Sequence, residues 1–179
     1  MRRRLHPLAA TLVIAACLAP LPIVVAAEAE PEPNPLAGFD RLVGGRWYFG
    51  ETYQTFEWGV GKRALRATAH FPSPDGPKLG SEGFWYLHPE SGEIRGTFVS
   101  IEEGLDLFEY VTWFDADTVK SRVSIHGPKG RGEYFETLEF TDADHYVWSL
   151  WRETAEGREQ LVEHEYERRP APAAAKEKR

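Results

Sequence analysis

Cysteine is almost missing from this chain: Cys17 is the only one among 179 residues. It stands within residues 8–27, an apolar stretch without a charge that follows Arg2, Arg3 and Arg4. Were that segment removed after Ala27, no cysteine would remain. Disulfides would then be excluded, and stability must come from buried side chains. The remaining roughly 150 residues suffice for one domain with its own core. Positive charge is also scarce. Lys plus Arg number 21 against 28 Asp plus Glu, a formal charge of −7. Losing the three leader arginines leaves 18 basic residues against the same 28 acids, or −10. An acidic domain repels phosphate backbones, so nucleic acid is not expected as a partner.

The usual marks of catalysis are lacking too. His70, His88, His126, His145 and His164 are scattered, with no His-x-His or His-x-x-x-His pair. Zinc needs three or four converging ligands, so no metal is expected. There is no Gly-x-Ser-x-Gly, no cysteine nucleophile and no phosphate loop. Gly59-Val60-Gly61-Lys62-Arg63 lacks the glycine spacing and the Ser or Thr of such a loop and reads as a turn.

The N-terminus has a basic start, an apolar middle, small residues at Val25-Ala26-Ala27 and then Glu28-Ala29-Glu30-Pro31-Glu32-Pro33. Residues 1–27 therefore read as an export signal, giving a periplasmic or secreted protein. Two alternatives stay open. Ile14-Ala15-Ala16-Cys17 resembles a bacterial lipobox, which would acylate Cys17 and tether the chain to a membrane. The 20-residue run is also long enough for an uncleaved anchor, although Pro20 and Pro22 interrupt it. Residues 28–37 read as a Pro- and Glu-rich spacer, 38–168 as one folded body, and 169–179 as a loose tail.

Helical periodicity is nearly absent from the body. The one candidate is 35–43, where Leu36, Phe39, Leu42 and Val43 share a side and Gly44-Gly45 follows. The rest alternates, punctuated by turn residues such as Pro74-Asp75-Gly76 and Gly127-Pro128-Lys129-Gly130. We read strands at 46–52, 54–59, 63–71, 82–88, 94–101, 106–114, 118–126, 133–140, 145–152 and 160–167. Short joins suit antiparallel neighbours. Several strands are apolar on both faces, among them Tyr110-Val111-Thr112-Trp113-Phe114 and Tyr146-Val147-Trp148-Ser149-Leu150-Trp151. Their second faces need cover: the N-terminal helix, a homodimer interface, or a ligand cavity. A long antiparallel series leaves two open edges unless it closes. The expected fold is all-β, an antiparallel up-and-down barrel of about 8–10 strands behind a short helix.

Leu42-Val43-Gly44-Gly45-Arg46-Trp47 resembles the start of a calycin, the superfamily of lipocalins and fatty-acid-binding proteins. There a short helical turn precedes Gly-x-Trp on the first strand, and Gly45-x-Trp47 has that spacing. The nearer resemblance is to exported bacterial lipocalin-like proteins. It implies that Trp47 plugs the closed end of a barrel and that a late basic residue, Arg168 or Arg169, covers it. The nitrobindin form, Gly-x-Trp-x-Gly-x-Gly, is not met, since position 49 is Phe.

Such a barrel is expected to hold a small hydrophobic ligand. The candidate lining is Trp58, Leu65, Trp85, Phe98, Tyr110, Trp113, Trp148 and Trp151. His164 alternates with Val162 and Tyr166 on the last strand; turned inward, it could ligate a haem iron or serve as a hydrogen-bonded core histidine. No cofactor other than that haem is in view. Glu82, Arg95, Glu109, Glu136 and Glu139 are candidates for an inward polar group that orients a ligand. A barrel filled by its own side chains that self-associates, and an enzyme with a site at the barrel mouth, are the competing readings.

Overall fold

The computed structural model describes residues 33–171 apart from Glu103, so the leader and Cys17 lie outside the described residues. Ten strands follow one another: β1 Arg46–Phe49, β2 Thr52–Trp58, β3 Ala64–Phe71, β4 Lys78–Leu87 and β5 Ile94–Glu102. The second half comprises β6 Leu105–Asp115, β7 Thr118–Gly127, β8 Gly130–Phe140, β9 His145–Thr154 and β10 Gly157–Arg169. Each pairs antiparallel with its chain neighbours, and β10 pairs with β1 to close the barrel. Closure leaves no unpaired sheet edge, the liability an open ten-strand sheet would carry.

Strand positions follow the sequence expectation closely. β1 is shorter than expected because the chain reverses at Gly50 and Glu51, so that Phe49 pairs with Thr52. β4, β8 and β10 begin before their apolar residues do, because the backbone ladder continues into the polar ends of the hairpins. Leu36, on the apolar side of the helical candidate, is buried, and Arg169 ends β10 opposite Arg46, one backbone pair beyond Arg168.

Alternation assigns the faces. On β7, Val119 and Val123 are buried inside while Arg122 is exposed outside. Large and small residues complement one another across the wall. Trp85 on β4 and Gly96 on β5 are register partners, as are Gly83 and Phe98. A Cβ on Gly96 would stand 2.7 Å from the Trp85 ring, so only glycine leaves that ring its place.

The helical candidate forms a six-residue 3-10 helix, Ala37–Leu42, which caps one end of the barrel. Phe39 and Leu42 are fully buried; Phe39 lies 5.2 Å from Trp85 and meets Phe114 edge-on at 4.9 Å. Gly45 then turns the chain into β1 with φ +70°, and a Cβ there would be 2.8 Å from the Arg169 carbonyl. That position requires glycine on both counts. Trp47, also fully buried, donates its indole N–H to the Leu42 carbonyl at 2.8 Å. Tyr146 and Phe140 pack on Trp47 at 4.8 and 6.1 Å. The Arg168 guanidinium lies over the Trp47 ring at 4.4 Å and donates to the Arg41 carbonyl. Gly45, Trp47 and Arg168 thus form one sealed end.

Candidate functional site

Above that seal the barrel encloses a cavity of about 470 Å³. It reaches the opposite end, where Phe49, Thr52, Phe71, Glu102 and Leu105 line it beside the hairpin turns. The cavity is larger than the roughly 300 Å³ at which small-molecule sites begin.

Five of the nine residues expected to contact a ligand lie on the cavity wall: Trp85, Phe98, Tyr110, Trp148 and His164. Their rings form two groups, Trp85 with Phe98 and Tyr110, and Trp148 with His164. Trp85 and Phe98 are 4.5 Å apart, and Tyr110 stands edge-on to both at 5.6 and 5.3 Å. Leu65 is fully buried in the core and does not reach the cavity. Trp58 packs at the capped end, with its indole N–H donated to the Asp40 carboxylate at 3.1 Å.

Trp113 and Trp151 are corrected: neither lies on the cavity wall, and both belong to the outer face. The reason is the two-residue period of a strand. Tyr110 and Trp113 are three residues apart, as are Trp148 and Trp151, so if one points in the other points out. Outside, Trp113 packs on Phe135 at 5.9 Å, and Trp151 is the register partner of Phe135. The Arg158 guanidinium covers Phe135 at 3.8 Å. A long side chain with an apolar stem thus supplies part of the cover that this doubly apolar region needs.

Of the five charged strand residues, one turns inward. Glu82 pairs with Arg66 at 3.0 Å, Glu109 with His126 at 2.8 Å and Arg95 with Glu93 at 2.6 Å, all on the outer face. Glu139 is exposed. Glu136, midway along β8 between Ser121 and Leu150, is 6% exposed and lines the cavity. Loss of water pushes its carboxyl up to about 7, against the opposing pull of the Trp148 indole N–H and the Tyr110 hydroxyl. Burial outweighs two donors because the charged form loses far more hydration than they return. Tyr110 and Tyr166 are raised as well, first by burial and then by the Glu136 charge, and Tyr146 by burial, then by Tyr166, then by Glu136. Tyr146 donates to the Gln54 amide oxygen at 2.8 Å. Gln54 is a wall residue that the sequence reading did not name, although it shares the parity of the buried Phe56; Tyr166, which shares a side of β10 with the half-buried His164, is on the wall as well.

His164 stacks on Phe49 with centroids 3.8 Å apart and lies 5.7 Å from Trp148. This setting accounts for the ring as part of the aromatic wall and gives no separate sign of an iron ligand. Among the described residues, no three His, Cys, Asp or Glu side chains are grouped to hold a metal ion.

The fold and cavity define a class: a closed antiparallel β-barrel with a sealed end and an aromatic-lined, ligand-sized interior. Comparison with protein-family models and with curated proteins finds no match for this chain.

Proposed function

We propose that this barrel is an exported, lipocalin-like binding protein of the calycin kind that holds a small hydrophobic molecule in its cavity. One observation carries the reading: a cavity of about 470 Å³ walled by Trp85, Phe98, Tyr110 and Trp148. A barrel filled by its own side chains would leave no such space. The Gly45-x-Trp47 start, the buried indole and the arginine laid over it support the calycin assignment. Export rests on the residue pattern of 1–27, with lipidation at Cys17 as the variant form. Fatty-acid labelling that is lost in Cys17→Ala would establish the tethered form.

The experiment is a tryptophan-fluorescence titration with n-decanol, run on the wild type and on Ala69→Trp. Ala69 lines the cavity, and an indole there fills it. Saturable binding to the wild type, lost in a variant that keeps its β-sheet circular dichroism, is the expected outcome. Unchanged binding to Ala69→Trp would put the ligand elsewhere and end this reading.

A further inference from the structure

The cavity is not electrically neutral. Among its described wall residues there are two carboxyl groups, Glu136 in the interior and Glu102 toward the mouth, and neither lysine nor arginine. Glu136 is buried on β8, and three elements supply rings around it: Tyr110 from β6, Trp148 and Tyr146 from β9, and Tyr166 from β10. None of the groups acting on Glu136 is cationic. A buried acid without a counter-ion is costly in its charged form. A carboxylate on a cavity wall rich in aromatic rings is an arrangement that attracts an organic cation, through the ring quadrupoles and the charge together.

We infer that the cavity selects amphipathic amines, with the apolar body against Trp85 and Phe98 and the ammonium group on the Glu136 carboxylate. The inference rests on the binding reading above and adds the chemistry of the head group. An alkyl carboxylate would meet two like charges and neither lysine nor arginine. An alcohol would fill the same apolar space but would leave Glu136 without its ion pair.

Binding of the ammonium form requires the charged carboxylate. The titratable groups that act together with Glu136 are Tyr110, Tyr146 and Tyr166, all raised above the ordinary phenol range, so they stay neutral while Glu136 titrates; His164 on β10 and Glu102 on β5 share the cavity wall. Amine affinity should therefore climb as pH rises through about 7 and level off above it. Below that point, binding should release a proton to the buffer, visible as a binding enthalpy that depends on buffer ionisation.

The test ranks n-decylamine, n-decanol and n-decanoate by calorimetry at about pH 8, on the wild type and on Glu136→Gln. Expected is decylamine at least about tenfold tighter than decanol, with decanoate weakest. In Glu136→Gln the amine preference should disappear while decanol affinity stays. Decanol binding as tightly as decylamine, or decanoate binding tightest, overturns the amine inference and leaves the binding reading standing. Failure of all three to bind overturns both. The wild-type ranking decides the matter even if Glu136→Gln does not fold.

Discussion

The guanidinium of Arg168 lies 4.4 Å from the centre of the Trp47 ring, closing the sealed end from the last strand onto the first. The same side chain donates to the Arg41 carbonyl, so it ties β10 to the capping helix as well. Its Nε stands 3.6 Å from the Asp144 carboxylate, an ion pair too long for a hydrogen bond. Replacing Arg168 with Ala removes the stacking and strands a carbonyl. The expected loss is about 1–2 kcal/mol, read as a lower urea midpoint at unchanged slope. Arg168→Lys should recover only part of this, because an ammonium cannot lie flat on the indole.

Glu136 makes stability depend on pH in the direction opposite to that of a paired surface carboxylate. Its pKa is about 7 in the folded protein against an ordinary 4.5, so between these values the folded state holds the extra proton. Stability is then fullest below about pH 4.5, falls as pH rises toward about 7, and is level beyond. The span corresponds to on the order of 3 kcal/mol. Glu136→Gln keeps the shape and removes the charge. At about pH 8 it should melt roughly 5–10 °C higher than the wild type, and at about pH 4 the two should nearly coincide. Equal melting temperatures at the higher pH would mean that the carboxylate is solvated after all.

Gly96 and Trp85 face each other across β4 and β5. Gly96→Ala should cost about 1–3 kcal/mol, since the added methyl meets the indole ring. In a Trp85→Leu background the same alanine should be nearly neutral. The double-mutant cycle checks this, and simple additivity of the two changes would mean that the pair does not interact.

Much of the barrel was legible in the sequence. Turn residues fall at nearly every reversal, and on β7 the alternation of Val119 and Val123 with Arg122 matches its inner and outer faces. Other positions needed register. Trp113 and Trp151 carry the same side chains as the wall residues Trp85 and Trp148, and composition alone cannot separate them. A strict two-residue count from Tyr110 and Trp148 does. The same count singles out Glu136: it shares parity with Leu138 and Phe140, whereas Glu139 does not. What the count could not supply is the depth of a residue along the barrel axis. Leu65 faces inward but sits in the core rather than on the cavity wall, because the capping helix raises the closed end over it. That helix's position depends on contacts between Phe39, Trp85 and Phe114, which no local pattern encodes.

The measurement that bears most directly on the binding reading uses the six tryptophans as reporters. Their indole N–H signals would be followed by NMR while n-decanol is added to the protein. Trp85 and Trp148 line the cavity, whereas Trp113 and Trp151 do not. The account predicts saturable shifts at Trp85 and Trp148 and still signals at Trp113 and Trp151. Shifts confined to Trp113 and Trp151 would place the ligand on the outside of the barrel and contradict it.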